Sequence, residues 1–238
     1  MLFSLLASGD IKQAIISILL TLPVILIALS FHEASHAAAA YKMGDRTAYN
    51  LGRLTFNPLK HLDPLGFLCM LVFGYGWAKP VPINARNFKN PKRGMALTAI
   101  AGPVCNLVLG TVSSILYAVT VFIGAVFAKQ LYSMELLSNI VTVLSMFFYL
   151  GGMLNFMLTA FNMIPLPPFD GSRFFSLFLP TKWYFAIMKY ERYTMIAILA
   201  ISMICSRLFH FSPFSWIAEK LFYGIAQPVF TLLINIFA

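Results

Sequence analysis

His32 and His36, in the run Phe31–Ala40 (FHEASHAAAA), stand four residues apart. On a helix that spacing puts both imidazoles on one face, one turn apart, where they can converge on a single ion. Glu33 follows the first of them, so its carboxylate can reach a water activated at that ion. This H-E-x-x-H order is the arrangement of zinc hydrolases. Zinc brings the pKa of water down to about 7, and a neighbouring carboxylate can then take the proton as general base. The bland alternative is two structural histidines with a capping glutamate. It must explain ionisable groups set against the long apolar stretch Gln13–Phe31, where such groups are expensive and mark function.

A zinc hydrolase needs a third protein ligand and one open position. The chain has four aspartates, Asp10, Asp45, Asp63 and Asp170, and four histidines. Asp10 lies on the opposite side of the first apolar stretch. Asp170 ends the run FNMIPLPPFDG (Phe161–Gly171), where Pro165, Pro167 and Pro168 keep the backbone extended and free to turn a side chain inward. Asp170-Gly171 then reads as a turn. Asp170 is the leading candidate for the third ligand on these grounds, with His61 and Asp63 as alternatives.

The elements that must carry these residues are membrane helices. Hydrophobic residues make up 60% of the 238 residues and charged residues 11%, against roughly 25% charged in soluble domains. Too few charges remain to cover a surface facing water, which excludes a soluble enzyme, a disordered chain and a coiled coil. No Asp, Glu, Lys or Arg interrupts Gln13–Glu33's apolar part, the stretch between Arg93 and Lys129, or that between Glu135 and Asp170. A helix crosses the hydrocarbon with about 20 apolar residues. The first helix is expected to continue to about Met43 and to end at Gly44-Asp45. Gly102-Pro103 and Gly151-Gly152 are candidate kinks. Shorter apolar stretches, about Tyr193–Phe209 and Trp216–Phe237, add a fourth and a fifth span. With five spans, 13 of the 17 Lys and Arg fall on one side. Basic residues collect in cytoplasmic loops, so the Lys42–Arg93 segment is expected inside the cell, the N-terminus outside and the C-terminus inside. The first apolar run shows no small-residue exit of the signal-peptide kind and reads as a retained span.

Within Lys42–Arg93 a further apolar run, Phe67–Phe73, leads into Gly74-Tyr75-Gly76-Trp77 and Lys79-Pro80-Val81-Pro82. It is too short to span and is expected to form a small re-entrant β-strand or hairpin. Such an edge would pair with an extended peptide. The fold class is therefore an all-α polytopic membrane protein of about five transmembrane helices with that one β element. A single membrane-embedded domain covers 1–238, with a catalytic core at about 12–175 and C-terminal helices at about 183–238. The net charge of +9 belongs to topology and gives no reason to expect nucleic acid. Cys69, Cys105 and Cys205 are widely spaced in apolar surroundings and read as small buried hydrophobes.

HEASH (His32–His36), AGPVCN (Ala101–Asn106) and NMIPLPPFDG (Asn162–Gly171) together resemble the site-2 protease family of intramembrane zinc metalloproteases. GRLTFNPLKHLDPLG (Gly52–Gly66) and GWAKPVPINARNF (Gly76–Phe88) are similar to its short bacterial branch, which lacks PDZ and CBS modules. The resemblance covers about Phe31–Gly171, and Phe169 stands where the family's motif usually has leucine. It implies a single Zn2+ held by His32, His36 and Asp170, with Glu33 as catalytic base and Asn162, eight residues before the aspartate, as oxyanion donor. Asn106 is a candidate for an interhelical hydrogen bond or for orienting substrate. The implied function is hydrolysis of peptide bonds in or near transmembrane segments of membrane proteins. The partners are a transmembrane protein or peptide substrate and membrane lipid, in a bacterial cytoplasmic membrane with the active site toward the cytoplasm. A metal transporter would need further polar residues lining the spans toward the outside, and a vestigial scaffold would not need Glu33.

Overall fold

The computed structural model describes residues 11–73, 78–128, 134–180, 182, 183, 186, 189–209 and 211–237. Four helices are long and apolar enough to cross a membrane: α1 (Ile11–Lys42), α4 (Pro91–Val126), α5 (Glu135–Asn162) and α8 (Pro213–Phe237). Between them lie α2 (Thr47–Asn50), α3 (Pro64–Phe73), α6 (Asp170–Phe175) and α7 (Glu191–Leu208).

Local chemistry fixes the helix ends. α1 stops where expected: Gly44 takes φ 109°, a left-handed conformation that glycine reaches without penalty. The Asp45 N–H then closes onto the Ala40 carbonyl at 2.9 Å. α4 starts at Asn90-Pro91, where the Asn90 side chain accepts from Arg93 N–H at 3.1 Å. Proline at the first helical position loses no hydrogen bond there.

Small residues let the helices approach, as they do where lipid removes the hydrophobic drive between them. α4 and α5 run antiparallel: Thr159 Oγ donates to the Pro103 carbonyl at 3.3 Å, and Ser145 Oγ to Thr120 Oγ at 3.0 Å. Phe222 of α8 seats on Gly152, where a Cβ would come within 2.4 Å of its ring. It also packs against Tyr117 and Tyr149, with ring centroids at 5.1 and 5.2 Å. Ala118, Phe156, Ala218, Phe222 and Ala226 form the buried centre of this contact. Gly102-Pro103 and Gly151-Gly152 both lie inside unbroken helices, and what their glycines supply is room for a neighbour.

Two expectations are corrected. Phe67–Phe73 is not a re-entrant strand or hairpin: it belongs to the ten-residue helix α3, and among the described residues the strand pairing is confined to one antiparallel bridge, Leu62 to Ala78. The Asp63 side chain accepts from Gly66 N–H at 2.8 Å and caps the helix, with Pro64 in its first turn. Gly74-Tyr75-Gly76-Trp77 lie outside the described residues. Among the described residues four helices, against about five expected, are long and apolar enough to cross, and the expected span at about Tyr193–Phe209 is the shorter helix α7. α7 starts beside the Pro167 carbonyl, which accepts from Thr194 Oγ, and α8 starts beside Phe161, where Phe214 packs at 5.2 Å. Both starts are at the same end of the bundle. The five residue steps from Leu208 to Pro213 reach at most about 18 Å, too little to return from a full crossing of about 30 Å.

Candidate metal centre

The last turns of α1 carry His32, Glu33 and His36, all buried. The two imidazoles meet edge to face with centroids 4.6 Å apart, and their Nε2 atoms lie 3.0 Å from each other. Asp170 comes from far along the chain. Its Oδ2 is 3.2 Å from each Nε2. His61 and Asp63 are not in this cluster. His61 is buried in the loop and its Nε2–H donates to the Thr55 carbonyl at 2.7 Å, while Asp63 caps α3.

The proton positions follow from the outer partners. His32 Nδ1 faces Asn106 Oδ1 at 3.1 Å, and His36 Nδ1 faces the Thr98 carbonyl at 2.8 Å. Both partners are acceptors, so each Nδ1 carries a hydrogen and each neutral ring presents a lone pair at Nε2. Two such lone pairs 3.0 Å apart repel, and a carboxylate oxygen beside them adds to the repulsion. A cation between the three atoms removes it. Tetrahedral zinc with ligands at about 2.0–2.1 Å separates its donors by roughly 3.3 Å, close to the 3.0–3.2 Å found here. Two imidazoles and one carboxylate are also the donor set of hydrolytic zinc, which keeps a fourth position open. The residues therefore fit the metal.

Asp170 is delivered by a folded-back loop. It is the first residue of α6, not part of the expected turn. Phe169 before it is buried and packs on Phe161 at 4.5 Å, so the aromatic ring in place of leucine serves as the anchor. Gly171 lies against the backbone of the loop's start: a Cβ there would come within 2.5 Å of the Met163 carbonyl oxygen. Asn162 is the last residue of α5, and its Nδ2 donates to the Leu158 carbonyl at 3.1 Å. That uses one of its two N–H groups and leaves the other.

Glu33 is held by an extended strap, Lys79–Ile83. Its Oε2 accepts from the Val81 N–H at 3.1 Å. Val81 sits between Pro80 and Pro82, which have no N–H and keep the residues before them extended. The strap is tied at both ends. Lys79 N–H donates to the His61 carbonyl at 2.8 Å, and the Arg53 guanidinium donates to the Lys79 carbonyl. At the other end Asp45, fully buried, accepts from Asn84 N–H at 2.7 Å, Asn87 Nδ2 at 2.7 Å and Thr47 N–H at 3.0 Å. Burial alone would raise the Asp45 carboxyl. The hydrogen bonds from Thr47, Asn84 and Asn87 outweigh it and hold the group below the usual carboxylate range. A depressed folded value means that Asp45 stabilises the fold above the ordinary carboxylate pKa, and that this contribution is lost as pH falls through its lowered value. Asp45→Ala leaves four backbone and side-chain donors, the Thr47 hydroxyl among them, without their acceptor. It is expected to lower stability by about 2–4 kcal/mol, read as a shift of the unfolding midpoint, with zinc binding kept.

Three supporting groups escaped the sequence. The Thr98 carbonyl is a backbone atom and leaves no side-chain signature. Val81 contributes only its N–H, signalled at most by its two flanking prolines. Gly102 faces both ligands: a Cβ there would come within 2.5 Å of His36 Nε2 and 2.6 Å of His32 Cε1. Asn106 was visible as a buried polar group in a span, and its partner proves to be a histidine of the cluster.

The model of Peptidase family M50 matches residues 20–205. Among the relatives described as "Putative zinc metalloprotease" are YwhC of Bacillus subtilis (strain 168) and MJ0611 of Methanocaldococcus jannaschii. The first is 40% identical over 177 residues, 74% of this chain and 77% of its own. The second is 29% identical over 144 residues, 60% of this chain and 62% of its own. No solved structure matches. With the match running from the first span past Asp170, the chain belongs to peptidase family M50, the site-2 protease family, and is a membrane metalloprotease of the zinc type.

Proposed function

We propose that this chain is an intramembrane endopeptidase that hydrolyses peptide bonds in or near the transmembrane segments of membrane proteins. His32, His36 and Asp170 hold the zinc, Glu33 is the base and Asn162 the oxyanion donor. The observation that carries this is the convergence of two imidazoles and a carboxylate within 3.2 Å at one end of a bundle of apolar helices. Sites of soluble peptides have no need to be built on four membrane-crossing helices.

Zinc, when bound, supplies a Lewis acid that acidifies water and polarises the scissile carbonyl. Glu33 takes the proton of the attacking water and returns it to the leaving amine. The Val81 N–H fixes one oxygen of that carboxylate and leaves the other for the proton. The unused N–H of Asn162 donates to the oxygen that gains charge. The substrate helix must unwind first, because its carbonyls are engaged in its own hydrogen bonds and bare backbone groups cost several kcal/mol each in lipid.

The charge pattern supports a cytoplasmic site. Counting α7 as lying on the side where it starts, Arg207 and Lys220 join the side of the cluster. Then 15 of the 17 Lys and Arg lie there, leaving Lys12 and Lys129 opposite. The four-span arrangement sharpens the asymmetry expected of a cell membrane protein and turns the C-terminus outward.

The test is cleavage of a transmembrane substrate by the purified chain in lipid vesicles. Chelation is expected to bring cleavage to background and added Zn2+ to restore it. Cleavage that survives complete removal of metal sinks the proposal, and cleavage of soluble peptides alone sinks the assignment of substrate.

A further inference from the structure

Asn106 and Asn155 are both buried, and each leaves one polar atom without a hydrogen-bond partner among the described residues. The two atoms are complementary. Asn106 turns its Oδ1 to His32 Nδ1 at 3.1 Å, which leaves the donor Nδ2. Asn155 turns its Nδ2 to the Gly151 carbonyl at 2.8 Å, which leaves the acceptor Oδ1. The Asn155 amide cannot be turned over without setting its oxygen against the Gly151 carbonyl oxygen.

The helix register brings the two side chains to the same part of the seam between α4 and α5. Gly151, Asn155 and Thr159 recur every four residues on α5 and share a face. At the ends of this stripe Thr159 bonds the Pro103 carbonyl at 3.3 Å, and Gly151 lies against Ser113, whose Oγ would be 3.1 Å from a Cβ. Asn155 is midway between them, so on α4 it faces the stretch midway between Pro103 and Ser113. The midpoint is residue 108, and the buried residues on either side of it are Asn106 and Gly110.

We infer that one buried water bridges Asn106 Nδ2 to Asn155 Oδ1, and that Asn155 is thereby a positioning residue for His32. The chain of bonds runs from His32 Nδ1–H to Asn106, from Asn106 to Asn155, and from Asn155 to the Gly151 carbonyl. Its direction matters. An Asn106 amide turned the other way would present N–H to His32 Nδ1, the ring would carry its hydrogen on Nε2, and the lone pair meant for zinc would be lost. Asn155 holds Asn106 in the orientation that suits the metal. Outer partners of this kind are worth roughly 10–100-fold in metal affinity. This inference rests on the proposed role of His32 as a zinc ligand.

The test is zinc affinity of the full chain, measured by competition with a chelator. Asn155→Leu, nearly isosteric and closed to water, is expected to weaken zinc binding about tenfold, whereas Asn155→Asp, whose buried carboxyl stays protonated and so keeps an O–H for the Gly151 carbonyl and an oxygen for the water, stays within about threefold of the natural protein. Asn106→Leu weakens binding at least as much, and the double change Asn106→Leu/Asn155→Leu is no worse than Asn106→Leu alone. Should Asn155→Leu not fold, Asn155→Ala gives the same sign in a helix face already lined by glycines. Unchanged affinity on replacing Asn155, equal losses in the Asp and Leu variants, or a double variant that multiplies the two single losses would overturn the inference. His32→Ala separates the levels. If it abolishes zinc binding while Asn155 variants do nothing, Asn155 alone is misassigned. If it retains zinc, the ligand assignment itself is wrong.

Discussion

Glu33→Gln is expected to lower cleavage of a membrane substrate by about 10³-fold or more while zinc content stays at one ion per chain. General acid–base catalysis contributes typically 10²–10⁴-fold, and here one group serves both proton transfers. Glutamine has the shape of glutamate, and its carbonyl oxygen can still accept from the Val81 N–H, which now reaches Glu33 Oε2 at 3.1 Å. The strap therefore stays in place. The cluster of donors close enough to share an ion is His32, His36 and Asp170, so neutralising Glu33 removes no ligand. What changes is basicity: an amide does not take a proton from water near neutral pH. Turnover at the natural rate in a variant shown to hold its zinc would remove Glu33 from the reaction. Loss of zinc together with activity would instead make it a ligand or a support for one.

The difference between what the residues announce and what they conceal follows from the nature of each constraint. His32 and His36 were legible because a four-residue spacing has one meaning on a helix. The spans were legible because lipid forbids charge over about 20 residues, and α1, α4 and α5 obey that rule plainly, while α8 carries Glu219 and Lys220 near its start. Phe67–Phe73 was misjudged because a short apolar run carries no period to tell strand from helix. The deciding signal lay just before it, in Asp63-Pro64, a cap followed by the proline of a first helical turn. The stretch at α7 was counted as a span by its apolar content, but its course is set by where α8 must begin, beside Phe161. Asp170 was separable from His61 and Asp63 only as a preference, since what brings it to the imidazoles is the burial of Phe169 and the close approach of Gly171 to the loop backbone. Such contacts join residues far apart in the chain and leave no local mark.

Gly102→Ala is expected to weaken zinc binding by about 100-fold or more with little change in the stability of the bundle. The glycine is part of α4 and passes directly under the two imidazoles. Its missing Cβ would lie within 2.5 Å of His36 Nε2 and within 2.6 Å of both His32 Cε1 and His36 Cε1. The first of these is a metal-donor atom. Imidazole rings are side-chain ends and can swing away, so the fold does not have to break. The rings are not free to swing at no cost to the site, however, because Asn106 and the Thr98 carbonyl grip them at Nδ1. A ring displaced by half an ångström or more leaves both its outer partner and the tetrahedral spacing that zinc requires, and each lost outer contact alone is worth roughly 10–100-fold in affinity. The damage therefore appears in metal binding rather than in unfolding. Gly124→Ala supplies the comparison, since a Cβ at that position of the same helix meets only Val141 Cγ1 at 3.5 Å, an ordinary contact. It is expected to bind zinc like the natural chain and to gain a little stability from the better helix former. Chelator competition on the two variants, with thermal unfolding of each, distinguishes a site that needs an empty space from a helix that needs small residues. Equal zinc affinity in Gly102→Ala and Gly124→Ala would mean that the imidazoles do not sit against α4 when the metal is bound.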